Sequence, residues 1–301
     1  MSPDPVLPNT ESIDPRYREL DGWPAEIAAL ALWESQLAAV AAVRPALPAL
    51  AAAALAAADR LGRGGRLVYA GAGTSGRIAA QDGAELPPTF DWPRDKLILL
   101  MAGGSAAFTA AIENAEDDAE AGRAAIDSET IGADDVVLGV AASGGTVFTC
   151  ACLEAAGARG ALTIAIANSP GGHLLSLARH PILIETGAEP IAGSTRMKAG
   201  TAQKVALNLF STLVMLQLGR VHDGLMVDMR AGNAKLRARS LRMLRLLYGA
   251  DEQAAQTALA AADGHVKLAA LLLRGLDPAA ARALLARHGN RLRGALAELA
   301  R

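Results

Sequence analysis

The spacing of apolar positions changes period twice along this chain, and those changes mark out its architecture. From Pro24 to Leu61, alanine and leucine dominate at helical spacing, broken at Arg44-Pro45 and Leu47-Pro48, so two helices joined by a kink are predicted. Short apolar runs follow at 67–71, 97–101, 136–141, 162–166 and 182–185. Each has strand length, and helical stretches separate them. That rhythm predicts an α/β fold, with a five-stranded parallel sheet flanked by helices in the flavodoxin-like or Rossmann manner. A long apolar helix is expected to follow the 193–204 segment and to run to about Leu218. Beyond Ser240 the pattern is helical, and Asp251–Ala270 aligns weakly with Asp277–Leu296. Two copies do not make a solenoid, so a small C-terminal helical bundle is expected. The predicted domains are a Pro-rich polar arm over 1–22, a phosphate-handling α/β domain over 23–240 and a helical domain over 241–301.

Composition narrows the function classes. A chain of 301 residues, 51% apolar, can build a full α/β core and one smaller unit. Its formal net charge of −2 provides no global field for nucleic acid or an anionic membrane, and neither is expected as a partner. Cys150 and Cys152, two apart on a helical stretch, diverge around the helix and are expected as reduced thiols. The Met1-Ser2-Pro3-Asp4-Pro5 start lacks signal-peptide character, and Pro, Arg and Asp interrupt the alanine-rich stretches. A cytoplasmic protein is expected.

Two loops carry the candidate chemistry. Gly71-Ala72-Gly73-Thr74-Ser75-Gly76 follows the first apolar run, and Ser143-Gly144-Gly145-Thr146 follows the third. Each reads as a strand end turning into a helix start, which aims bare backbone N–H groups and a hydroxyl at one place and suits a phosphate. Gly71-x-Gly73-x-x-Gly76 also fits a dinucleotide fingerprint. The second strand, however, ends in Ala102-Gly103-Gly104-Ser105 without the acidic residue that would hold a ribose. Ser194, Thr195, Arg196, Lys198 and Lys204 cluster at the start of the long helix as a third candidate anion contact. The five histidines have no ligand spacing, so no metal site is expected. Neither serine sits in a Gly-x-Ser-x-Gly elbow.

Two carboxylates stand out by position. Glu85 precedes the Pro87-Pro88 pair, which is expected to end the helix begun at Ser75 and so to leave Glu85 close to the first loop. Glu116 lies in the acidic run Glu113-Asn114-Ala115-Glu116-Asp117-Asp118, expected as a helix with one residue turned inward.

The strings Gly71 to Arg77, Glu85 to Thr89, Glu113 to Asp117, Ala141 to Gly144 and Gly193 to Lys204 resemble the N-acetylmuramic acid 6-phosphate etherases, SIS-domain enzymes of bacterial cell-wall recycling. Asn208, Leu225 to Asp228 and Asn233 to Leu236 add matching positions. The resemblance implies an SIS-type fold and a carbon–oxygen lyase that needs no metal or redox cofactor and typically pairs as a homodimer. It makes Glu85 and Glu116 the acid–base pair, and Thr74, Ser75, Ser143, Gly144, Ser194, Thr195 and Lys198 the sugar-phosphate contacts. In such a reaction the ring-opened aldehyde acidifies the proton on carbon 2, and one carboxylate removes it while a second carboxyl group protonates the departing lactate.

Two features depart from the family. Gly145 stands where the family usually has arginine, and Arg16 to Leu20 differ from the usual continuation of the arm. An aldose–ketose isomerase of the same fold and a non-catalytic phosphosugar-binding regulator are the competing readings.

Overall fold

The computed structural model describes residues 9–228 and 234–300; Asn233 and the Met1 to Pro5 start lie outside them. The chain divides into two compact units, one comprising 1–84 and 95–211, the other 85–94 and 212–301. That division falls upstream of the change in composition near residue 240.

The first unit is built on β1 (Leu67–Gly71), β2 (Leu97–Met101), β3 (Val136–Ala141), β4 (Leu162–Ala167) and β5 (His180–Leu183), all parallel, in the order β2-β1-β3-β4-β5. That is the flavodoxin-like order, which reverses between β1 and β3 and opens a crevice beyond their carboxyl ends. β1, β3 and β4 are buried along their whole length, which is why they read as continuous apolar runs, whereas the edge strands β2 and β5 are only partly covered. The fifth strand begins two residues before the expected run, at His180.

Helices α1 (Ala25–Ala41) and α2 (Leu47–Gly62) are separated by a 3-10 turn at Arg44–Ala46, as the two Arg/Leu-Pro breaks require. The stretch Ala25–Gly62 is nevertheless apolar and long enough, by composition alone, to cross a membrane. α2 gives a different reason for that composition: it packs on β4 and β5 and buries Leu50, Ala53, Ala54, Ala57 and Leu61.

Helix α3 (Gly73–Phe90) runs straight through Pro87 and Pro88, so the proline pair does not terminate it. Both prolines lie in its last turns, so the loss is confined to their own two N–H bonds, and the chain leaves the helix at Asp91, whose φ is +52°. On its inner face Asp82 accepts from Tyr69 Oη at 2.9 Å and from Asn208 Nδ2 at 2.6 Å. Asn208 therefore serves the core. Helix α4 (Ala119–Ser128) begins later than the acidic run suggested, because Asp118 caps it by accepting from Ala121 N. Helix α5 (Val147–Ala158) packs on β3 and β4 and holds Cys150 and Cys152 as free thiols; burial pushes the Cys152 thiol up to about 12. The short α6 (His173–Leu177) follows β4, and α7 (Lys198–Gln217) closes the unit and continues beyond it.

The second unit contains a β6–β7 hairpin (Val221–His222, Leu225–Met226) and helices α8 (Ala234–Tyr248), α9 (Glu252–Ala261), α10 (Val266–Leu272), α11 (Pro278–Arg287) and α12 (Leu292–Leu299). The weak repeat is real in its caps: Asp251 and Asp277 each cap the first helix of a pair, and Asp263 and Asn290 take positive φ at the turns. Asp228, a family-matching position, pairs at 3.0 Å with the buried Lys267, whose ammonium also donates to Asn290 O.

Candidate active site

Three loops at the carboxyl ends of β1, β3 and β4 enclose a cavity of about 740 Å³ in the first unit. After β1, Ala72, Gly73, Thr74 and Ser75 lead into α3. Gly73 answers to its left-handed φ of +52°, whereas a Cβ on Gly71 would fall 2.7 Å from the Gly76 Cα, so that pair answers to backbone packing between strand and helix. After β3, Ser143 Oγ accepts from Gly145 N at 3.1 Å, which leaves its own proton for a ligand. Gly144, at φ +71°, lies back to back with Gly172, where either Cβ would collide with the other backbone.

The third loop, Ser169 to His173 after β4, was missed by sequence reading. Asn168 anchors it, accepting from Gln203 Nε2 at 2.9 Å and donating to Ile184 O at 3.1 Å, and Leu174 N donates to Gly144 O. Ser169 lines the cavity at 1% exposure, yet its hydroxyl has no partner. Its signal was present in sequence: a Ser-Pro-Gly-Gly turn directly beyond an apolar run, the same grammar as the other two loops.

The arm contributes a further wall. Gly193 N donates to Thr10 O at 2.9 Å, and Asn9, Glu11, Gly193 and Thr195 all line the cavity. A side chain at 193 would meet the Glu11 carboxylate, with Cβ only 2.8 Å from Oε2.

Of the proposed acid–base pair, one member is on this wall. Glu116, with Asp117, lines the cavity from a 3-10 turn (Ala115–Asp117) rather than from a helix, because Asn114 enters it at φ +59°. Glu85 is solvent-exposed and does not line the cavity. The length of helix before the proline pair is the reason: ten residues of α3 carry Glu85 about 15 Å along the axis from Ser75.

Thr74, Ser75, Ser143 and Thr195 line the cavity, with Gly144 between two lining residues, whereas Ser194, Arg196, Lys198 and Lys204 do not. The N–H groups at the start of α7 are already occupied. Glu189, fully buried, accepts from Lys198 N at 2.8 Å and Ala199 N at 2.9 Å, so this helix end is capped by the protein's own carboxylate. Burial raises the Glu189 carboxyl above its usual range against those two donors. Lys198 turns inward to Ala188 O at 2.8 Å, and burial lowers its ammonium. Among the described residues no Lys or Arg lines the cavity, and no cluster of three or more His, Cys, Asp or Glu is arranged for a metal.

A 2-1-3-4-5 sheet whose strand-end loops offer hydroxyls and N–H groups to an anion defines an SIS-type protein. Family models agree: the glucokinase regulatory protein N-terminal SIS domain matches residues 50–157 and the SIS domain matches 117–213. A Bacteroides fragilis protein assigned to phosphosugar isomerisation in capsule formation has the same fold, at TM-score 0.50 and 18% identity over 69% of this chain and 99% of that one. The N-acetylmuramic acid 6-phosphate etherase of Deinococcus radiodurans is 47% identical over 290 residues, 96% of this chain and 95% of the relative. That of Streptomyces avermitilis is 46% identical over 96% of this chain and 93% of the relative. The chain belongs to the N-acetylmuramic acid 6-phosphate etherase family.

Proposed function

We propose that this protein is a lyase that cleaves the D-lactyl ether of N-acetylmuramic acid 6-phosphate, yielding N-acetylglucosamine 6-phosphate and D-lactate in cytoplasmic recycling of peptidoglycan. The observation that carries the reading is the position of Glu116 on the wall of a cavity ringed by three hydroxyl-bearing loops. Thr74, Ser75, Ser143 and Thr195 hold the phosphate, and Ser169 adds a hydroxyl that has no other partner. The anchored phosphate holds carbons 2 and 3 of the opened sugar against the carboxylate.

Glu116 takes the proton from carbon 2, made acidic by the neighbouring aldehyde. The electron pair left on carbon 2 forms the carbon 2–carbon 3 double bond as the carbon 3–oxygen bond breaks. Glu85 gives its proton to the departing lactate oxygen, then takes one from the water that adds at carbon 3, while Glu116 returns its proton to carbon 2. The sum is addition of one water across the ether.

Glu85 reaches this chemistry from a second copy of the chain. An exposed apolar stripe supports pairing: Ile27, Leu30, Trp33, Leu37 and Val40 follow one face of α1, and Trp33 is 58% exposed. Two copies related by a two-fold axis would exchange Glu85 reciprocally.

Incubation with N-acetylmuramic acid 6-phosphate is expected to release D-lactate in step with N-acetylglucosamine 6-phosphate. A ketose without lactate would identify an isomerase, and an unchanged substrate would point to a regulator. Glu85→Gln and Glu116→Gln are each expected to lower turnover by at least about 10²-fold. Dissociating and reassociating the two variants together tests the exchange. Half of the random dimers then carry one intact site of two, so about a quarter of wild-type activity returns; a mixture that stays inactive refutes a shared site.

A further inference from the structure

Glu116 belongs to two cavities. It also lines a second one, of about 310 Å³, together with Arg77, Met101, Ala107, Ile112 and Glu113. Ala72, Gly73 and Thr74 are common to both, so the cavities adjoin along the start of α3. Their walls differ in part. Both carry carboxylates, but the larger adds hydroxyls and glycines, whereas the smaller adds alanine, isoleucine and methionine side chains, Asn114 and, among its lining residues, a single cation.

That cation, Arg77, is held in place. Its Nε donates to Ala107 O at 2.9 Å and its Nη2 to Ala110 O at 2.8 Å. Of the five N–H groups on a guanidinium, three therefore remain, and among the described residues no carboxylate pairs with them. A half-buried guanidinium, fixed by two carbonyls and lacking an anion, is suited to receive a carboxylate ligand in forked geometry.

The substrate supplies one at the right place. Its ether oxygen sits on carbon 3, one carbon away from the proton that Glu116 removes. With the phosphate seated on the loops of the larger cavity, the lactyl group departs from the junction that Glu116 marks. The group has a methyl and a carboxylate, which match the apolar wall and Arg77 in turn. We propose that the smaller cavity is the D-lactyl subsite and that Arg77 binds the lactyl carboxylate. The proposal rests on the etherase reading and makes Arg77 a specificity residue, since a sugar phosphate without the ether has no use for it. Glu113 lines the same cavity and repels an anion, so acceptance of a carboxylate depends on Arg77.

The test is a binding experiment in the Glu116→Gln background, where substrate is held without turnover. This protein is expected to bind N-acetylmuramic acid 6-phosphate about tenfold more tightly than its uncharged lactyl amide, the scale of a charge-assisted hydrogen bond. Adding Arg77→Met is expected to abolish that preference while affinity for N-acetylglucosamine 6-phosphate stays the same. Arg77→Lys, which retains the charge and loses the fork, is expected to keep part of it. A preference that survives Arg77→Met overturns the proposal. So does a parallel loss of N-acetylglucosamine 6-phosphate binding, which would reduce Arg77 to a brace for the 107–110 loop. Failure of the wild type to release lactate defeats the etherase reading instead, and turnover is not needed for any of the binding comparisons.

Discussion

The two ends of the same sheet treat polar groups in opposite ways. At the amino end, just before β1 and β3, Asp135 accepts from Arg66 N at 2.9 Å, Arg66 Nε at 3.0 Å, Arg66 Nη2 at 2.6 Å and Gly132 N at 3.0 Å. Those four bonds fill the four acceptor sites of a carboxylate. Arg66 gives its remaining reach to the carbonyls of Glu129 and Thr130. At the carboxyl end, Ser169 is buried with an idle hydroxyl, and Glu116 faces an open cavity. A buried polar group without a partner is costly, so its persistence beside a cavity points to a ligand, whereas a saturated cluster points to stability.

Substituting the saturated end should therefore destabilise the protein without touching its chemistry. Asp135→Asn keeps the shape but presents an amide to donors, and is expected to cost about 2–3 kcal/mol, discounted for the partial exposure of Arg66. Activity per folded molecule should stay at the wild-type level in denaturant titrations followed by assay. The pH dependence has a definite sign. Burial pushes the Asp135 carboxyl up, but the Arg66 guanidinium and two backbone N–H groups outweigh it and hold the group below its usual range. Its contribution is therefore complete above the unfolded carboxylate's value of about 4 and is lost as pH falls through the lower folded value. The stability gap between wild type and variant should be full at neutral pH and narrow in acid.

The opposite outcome is expected at the other end. Ser169→Ala removes a hydroxyl that nothing in the protein satisfies, so stability should hold or rise slightly, while KM for the phosphosugar rises about tenfold through one lost hydrogen bond. Thermal melting and steady-state kinetics on the same sample would read both. A variant that melts lower with an unchanged KM would place Ser169 among the structural residues and erase the contrast.

The strands and the first two loops were legible because each depends on local grammar: an apolar run, a glycine-rich turn, a helix start. Glu116 stood out by position, but only family resemblance gave it a chemical role, since its place on the wall depends on the left-handed Asn114 and on the cap at Asp118, which break an acidic run that otherwise reads as an exposed helix. Lys198 misled for a physical reason. Cations at a helix start look like anion ligands until a carboxylate 9 residues upstream, Glu189, is found to occupy the same N–H groups. The placement of Glu85 beside the first loop failed for a geometric reason: the helix from Ser75 to Glu85 already spans about 15 Å, wherever the Pro87-Pro88 pair ends it.

The smallest expected effect sharpens the comparison most, because it asks whether the carboxyl end lacks charge by its own design. The resemblance leads one to expect an arginine where this chain has Gly145, and no Lys or Arg among the described residues lines the larger cavity. Nothing at Gly145 demands glycine: its φ is not among the positive ones, and an added Cβ would meet only Ser143 Oγ, at an ordinary 3.6 Å. Gly145→Arg should therefore fold with stability within about 0.5 kcal/mol of wild type. It should bind N-acetylglucosamine 6-phosphate about fivefold more tightly at low salt, with the gain fading as ionic strength rises. If affinity does not change, the phosphate already has a cation, which must come from outside the cavity's own lining. The second copy proposed to bring Glu85 would then be the candidate source, and neutralising exposed arginines near the proposed paired surface would test it.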